Sequence, residues 1–438
     1  MALEGRLGPR QTANVLNSLG HLSEQFGTPT QLLAALVKSV PAKVKGMNAF
    51  DLSNCMWASA KLKDTAPVVL EMVSAIAVQI PNKAKDMEAQ GLSNCLWASG
   101  QLKDVVAPDV LVGVSAIAAQ IPKKAQDVKP QHLSNCLWAF VQLKDIAPDV
   151  LAGVSAIAAQ IPKKAQDAKP QHLSTCLWAF VQLKDIAPDV LEAVPAIAVQ
   201  IPNKAKDMEA QGLSNCLWAS GQLREVVPDV LKAVPALVAQ IPNKANDMIP
   251  QHLSNCLFAC AQLKDEVPKV LEIVPAIVVE ISLKINDMDP QALSNSLEAL
   301  ILLSDSVPKV DSFLAAGGNI DEILRSAAKR LNSLLPGLKG KDFSFTVPVV
   351  VWACAKAGVY DGDLLSSVAQ RLGSRTKLSA LPDFGVCALS WSYQVLDTQN
   401  DFKDFKQLLI SEATSAERGL SEADVQSCEL GRFGWKDS

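Results

Sequence analysis

The sequence predicts an all-α fold: an α-solenoid of about ten two-helix repeats, each of about 40 residues. Three observations predict it. A tryptophan returns every forty or forty-one residues, at Trp57, Trp97, Trp138, Trp178 and Trp218. It sits each time in one phrase, Leu-Ser-Asn-Cys-Leu-Trp-Ala in the clearest copies, with Phe258 and Glu298 in the same slot of the next two. Strand signals are nearly absent. A fixed period of this length marks units that cannot bury their own apolar face and so stack on their neighbours.

The phase extends both ways. Asn14 lies forty residues before Asn54, in a worn first copy. The series then runs through Asn54, Asn94, Asn135, Thr175, Asn215, Asn255 and Asn295, which assigns residues 1–303 to helical repeats. The interval from Glu298 to the next anchor, Trp352, is longer than a repeat, and Gly317-Gly318 supplies turn chemistry inside it. Residues 304–319 are therefore read as an insertion within one repeat. Residues 320–438 read as degenerate repeats around Trp352 and Trp391, closed by a lone helix between Asp424 and Trp435.

Each repeat divides into two helices. In the repeat around Trp138, helix A starts near Pro130, since proline suits a first helical position that has no N–H to satisfy. Leu133, Cys136, Leu137, Phe140 and Val141 follow the spacing of one buried helical face. Helix A is expected to stop near Asp145. Helix B opens at Pro148, with Asp149 against the positive helix end. It carries Val150, Leu151, Val154, Ile157, Ala158 and Ile161 on one side, and Pro162 is expected to end it.

Composition narrows the function. Apolar residues make up 49% of the 438, enough for a large core, yet no apolar run approaches the roughly 20 residues of a membrane span. The first residues show neither a secretory signal nor an Arg- and Ser-rich transit peptide. A net charge of −4 argues against nonspecific coating of nucleic acid, though not against a local basic stripe. Six of the ten cysteines, Cys55, Cys95, Cys136, Cys176, Cys216 and Cys256, hold one repeat position. One repeat rise, about 10 Å, is too far for a disulfide between neighbours. They read as small buried side chains in a reducing, intracellular compartment. No paired-carboxylate, Ser/His/Asp, Walker-type or dinucleotide-loop pattern occurs, and no Cys-x-x-Cys pair with His partners occurs. An enzyme, a metal and a cofactor are not expected.

Three slots are candidates for binding. Gln131, Asn135 and Gln142 share a helix face, as do Gln90, Asn94 and Gln101, then Gln211, Asn215 and Gln222, then Gln251, Asn255 and Gln262; Gln171 holds the first slot of the Thr175 copy. Stacked repeats would align these amides into a track for nucleobases, or the Asn would satisfy a neighbouring backbone. The residue after the first Gln varies: Gly91, His132, His172, Gly212 and His252. His accompanies Phe140-Val141 or Phe180-Val181, and Gly accompanies Ser99-Gly100 or Ser220-Gly221, which reads as packing compensation or as two ligand-reading unit types. A lysine series follows helix B: Lys83, Lys123, Lys124, Lys163, Lys164, Lys204, Lys244 and Lys284. It is either a row of cations for a phosphate backbone or a solvated edge. A second series, Lys63, Lys103, Lys144, Lys184, Arg224 and Lys264, is each time followed by an acid that should cancel it. The tryptophans, in an apolar Leu-Trp-Ala run, read as core or inter-repeat packing rather than as stacking platforms, with Trp97, Trp138, Trp178 and Trp218 expected to be mostly buried.

The phrase Leu-Ser-Asn-Cys-Leu-Trp-Ala-x-x-Gln-Leu, with a second helix and a period near forty, resembles octotricopeptide-repeat proteins. It is also similar to the repeats of RAP-domain and FASTK-like proteins, over residues from about 12 to 435. The resemblance implies a solenoid that binds organellar RNA and acts in its stability, processing or translation in a chloroplast or mitochondrion. The Pro-Pro-Pro-Glu-Trp element of many octotricopeptide repeats and a C-terminal RAP domain are missing, so no nuclease activity is implied. The first functional reading is thus a non-catalytic binder of single-stranded RNA, without a membrane. The alternative is a protein–protein scaffold of the armadillo or HEAT kind.

Overall fold

A computed structural model describes residues 7–104, 109–304 and 320–430, and among them no strand occurs. Ten helix-A elements follow one another: α1 (Pro9–Phe26), α2 (Ala49–Leu62), α3 (Ala89–Leu102), α4 (Pro130–Leu143), α5 (Pro170–Leu183), α6 (Ala210–Leu223), α7 (Pro250–Leu263), α8 (Pro290–Ser304), α9 (Gly340–Lys356) and α10 (Asp383–Leu396). A helix-B segment follows each of them in the chain. This is the two-helix repeat that the tryptophan period predicts. By compactness the chain forms two units, residues 1–208 with 225–233, and residues 209–224 with 234–438. Within the first, α1 to α5 stack in order; within the second, α6 to α10 do. The helix-B segments form the other layer of each unit.

Local chemistry explains the boundaries. Pro130, Pro170 and Pro250 occupy the first turn of α4, α5 and α7, where their fixed φ suits the helix. In α2 a reciprocal cap replaces proline: Asn48 accepts from the Asp51 N–H, and Asp51 accepts from the Asn48 N–H. Helix B opens with a 3₁₀ turn, as in Pro148–Gly153, and continues as α-helix at Val154–Ala158. Pro162 does not end it, against expectation. The chain resumes as helix at Ile161–Lys164, and the equivalent Pro202 lies inside Val194–Lys204. Gln160 N–H bonds to Ile157 O rather than one residue further back. This local 3₁₀ tightening carries the backbone up to the proline.

The core runs between the two layers. Leu137, Phe140, Val150, Val154 and Ile157 are fully buried. Each contributes about 1.5–3 kcal/mol of apolar transfer energy. The six in-phase cysteines are buried and form no disulfide, and desolvation pushes Cys55, Cys95, Cys136 and Cys256 up to about 12. Among the described residues no helix is long and apolar enough to cross a membrane. The expected insertion falls outside the described residues apart from Ser304. Of the expected terminal helix, α11 (Glu422–Gln426) and a 3₁₀ turn, Ser427–Leu430, are described.

Candidate interaction face on helix A

From Gln131 onward in α4, only Gln131, Asn135, Trp138 and Gln142 escape full burial. Their spacing of four, three and four residues makes one stripe along the helix. The same stripe is Gln90, Asn94, Trp97, Gln101 in α3 and Gln211, Asn215, Trp218, Gln222 in α6. In α5 it is Gln171, Thr175, Trp178, Gln182, with His172 also half-buried beside it. In α7 the stripe keeps Gln251, Asn255 and Gln262, with Phe258 in the aromatic slot. The tryptophans therefore belong to the accessible polar face and are half-buried rather than core. Trp138 leans on the preceding repeat: a Cβ added at Gly100 would lie 2.9 Å from its Cζ3. Gly20 makes the same room for Trp57, at 2.8 Å.

The asparagines do not hold a neighbouring backbone. Among the described residues, the side chains of Asn94, Asn135, Asn215, Asn255 and Asn295 have no hydrogen-bond partner in the protein. They are half-buried, so one edge of each amide meets solvent. The inner glutamines form one rung, Gln222 Nε2 donating to Gln262 Oε1 at 3.0 Å. The outer slot, Gln90, Gln131, Gln171, Gln211 and Gln251, is exposed throughout.

Three lysines of the helix-B series, Lys164, Lys204 and Lys284, donate to backbone carbonyls of the preceding repeat. Lys164 Nζ donates to Gln126 O at 2.7 Å and Val128 O at 2.6 Å. Lys204 donates to Gln166 O at 3.0 Å, and Lys284 to Asn246 O and Met248 O at 2.8 and 2.9 Å. The worn repeats keep the device with arginine: Arg330 reaches Met288 O at 2.9 Å and Arg371 reaches Leu338 O at 3.3 Å. Each cation reaches back one repeat to carbonyls of the tight turn before helix A, which no helix or sheet satisfies. Lys83 and Lys124 hold this half-buried slot, and Lys244 lies 4.0 Å from the Glu209 carboxylate. Lys123 and Lys163, one residue earlier, are exposed.

The second series reaches forward. Lys144 donates to Gln182 O at 3.1 Å and Lys264 to Leu302 O at 2.9 Å, so cations meet the negative ends of the next helix A. Local cancellation holds for Lys184, 3.2 Å from Asp185. Arg224 instead pairs with Glu266 of the following repeat at 3.2 Å. Neither role was readable from the sequence, because the acceptors are backbone atoms 36 to 38 residues away.

The histidines lie at the joints between repeats. His132 is buried, and Ser93 Oγ of the preceding repeat donates to its carbonyl at 3.3 Å. Ser214 does the same to His252 at 3.1 Å. His172 Nδ1 accepts from the Lys169 N–H at 3.3 Å. Desolvation holds all three imidazoles below their ordinary range, so they are neutral at pH 7. Phe140 and Phe180, which accompany His132 and His172, are both fully buried, and a Cβ at Gly153 would lie 3.0 Å from Phe140 Cζ.

At the other end of the chain the aromatic slot is occupied. Trp352 and Trp391 are buried. The Trp352 indole donates to the backbone carbonyl of Cys428 at 2.9 Å, and the turn carrying Cys428 packs on α10. A segment of the chain itself thus sits against the tryptophan slot and presents a peptide carbonyl to it.

No family model matches the chain, and no curated protein matches it. Among solved structures, a homology model of the full-length AP-3 complex in an intermediate open conformation is similar over 97% of this chain and 85% of that one. The identity is 13% and the TM-score 0.31, a likeness too loose to bear on function.

Proposed function

We propose that this chain is a non-catalytic scaffold that binds an extended polypeptide along the Gln–Asn–Trp stripe of helix A. The observation that carries the reading is the Trp352 indole holding the Cys428 carbonyl. A slot that repeats nearly unchanged suits a ligand feature that repeats unchanged. In a polypeptide that feature is the backbone, with one N–H and one C=O per residue. An Asn amide offers a donor and an acceptor to match both. A half-exposed indole adds an apolar shelf with its own donor. In a nucleic acid the constant feature is the phosphate, which calls for cations. Here Lys164, Lys204 and Lys284 already donate to carbonyls, and the chain is acidic.

Single-stranded RNA is the second reading. It is favoured by the half-exposed rings of Trp97, Trp138, Trp178 and Trp218, since base stacking on aromatics tolerates any sequence. The resemblance to organellar RNA-binding repeats points the same way. One experiment separates the two. Peptides selected from a random display library and single-stranded oligoribonucleotides are titrated against the chain at several salt concentrations. The polypeptide reading expects peptide binding that changes little with salt. Replacing Asn94, Asn135, Asn215 and Asn255 by Ala should weaken it, each lost hydrogen bond removing about 0.5–1.5 kcal/mol. RNA binding that falls steeply with salt, with no peptide selected, would transfer the assignment to RNA.

A further inference from the structure

The second unit holds a basic cavity distinct from the stripe, and we propose that it binds a phosphomonoester carrying an apolar body. The cavity is about 690 Å³ and lies between the start of α9 and the segment from Arg371 to Leu381. An adjoining one, about 370 Å³, shares Arg371 and Lys377 with it. Lys339, Lys341, Arg371 and Lys377 line the larger space, and among the described residues no carboxylate lines either. Lys339, Arg371 and Lys377 gather here in a chain whose net charge is −4. Like charges around one concave space repel, and an anion placed among them relieves that repulsion.

Two further features select the ligand. Helix α9 opens at the cavity wall, and its N-cap residue, Lys339, provides no side-chain cap. Its first-turn N–H groups and positive helix end favour an anion there, offset in part by Asp342 in the same turn. Gly340 makes the turn into the helix at φ 52, a left-handed conformation suited to glycine. The Arg371 guanidinium is held by the Leu338 carbonyl at 3.3 Å and lies 5.7 Å from the Phe343 ring centroid. A fixed, planar guanidinium matches a phosphate better than a mobile ammonium does. Leu338, Phe343 and Leu381 supply apolar wall, and the volume is that of a small-molecule site. The phosphate is dianionic above its second pKa, about 6, so binding should strengthen as pH rises through that value.

The test is calorimetric titration of the full chain with phenyl phosphate, with inorganic phosphate and with a phosphotyrosyl peptide. Saturable binding of phenyl phosphate, tighter than that of inorganic phosphate, is expected. The peptide arm identifies the source: tighter binding than phenyl phosphate assigns the ligand to a phosphorylated protein segment, and equal or weaker binding to a free metabolite-sized molecule. The double variant K339Q/K377Q changes two exposed side chains and should keep the thermal melt of the parent. It should bind phenyl phosphate about ten- to a hundredfold more weakly, the loss expected of charge-assisted hydrogen bonds. The proposal is overturned if phenyl phosphate shows no saturable binding up to about 10 mM. It is equally overturned by a folded K339Q/K377Q variant that binds as tightly as the parent, or by inorganic phosphate matching phenyl phosphate.

Discussion

Glu298 stands in the aromatic slot of α8 and is 4% exposed. Among the described residues no cation pairs with it. Burial pushes its carboxyl up from 4.5 to about 7. The folded pKa lies above the unfolded one, so the native state holds the extra proton between the two values. Stability from this group is therefore fully present below about 4.5, falls as pH rises, and is lost above about 7. Two to three pKa units correspond to about 3 kcal/mol. Replacing Glu298 by Gln keeps the shape and removes the titration. The variant should match the parent near pH 4.5 and exceed its stability at pH 8 by up to about 3 kcal/mol. Urea denaturation followed by circular dichroism at pH 5, 6, 7 and 8 measures this as a widening gap in midpoint at constant slope. Every other carboxylate is common to both proteins and cancels in the difference. Parent and variant curves that stay parallel from pH 5 to pH 8 would refute the reasoning.

Lys164→Met keeps the aliphatic stem but orphans the Gln126 and Val128 carbonyls, and should cost about 1–3 kcal/mol; Lys163→Met, at an exposed site, should stay within about 0.5 kcal/mol in the same melts. Removing the chain from Ser421 onward frees Trp352 of its carbonyl partner. The truncated protein should show a larger acrylamide-quenchable share of tryptophan emission, and an unchanged share would mean that the turn does not cover the slot. Cys55, Cys95, Cys136 and Cys256 should react with a thiol reagent such as dithionitrobenzoate only as the protein unfolds, because burial disfavours their thiolates. Fast labelling of the native chain would contradict their placement in the core.

The period made the fold legible, because stacking forces each helix A to repeat its apolar side. The face of the tryptophan was legible as well, but its neighbours obscured it. Leu137 and Ala139 flank Trp138 and suggest core, yet Trp138 lies three residues after Asn135 and seven after Gln131, on their side of the helix. Spacing rather than composition decides the matter. The lysine contacts could not be read. Lys164 before its turn looks like any solvated lysine, and the Val128 carbonyl joins it only once two repeats are stacked. Pro162 misled because proline weakens a helix by removing an N–H, whereas here a local 3₁₀ bond bridges the gap.

The constant slots of the repeat now fall into two kinds. Lys164, Lys204, Lys284 and the serines that donate to His132 and His252 meet the adjacent repeat, and stacking alone accounts for their recurrence. The asparagines make no such contact. Duplication of whole repeats would carry them along passively, but a worn copy separates inheritance from use. In α8 the cysteine slot has become Ser296 and the tryptophan slot Glu298, while Asn295 between Ser294 and Ser296 is kept. Its amide still has no partner in the protein and still meets solvent. A polar group that survives the loss of its neighbours, and that the fold does not employ, fits the proposed polypeptide ligand. The proposed polypeptide backbone would suit an amide beside an indole, a carbonyl accepting from the indole N–H and an N–H donating to the amide oxygen.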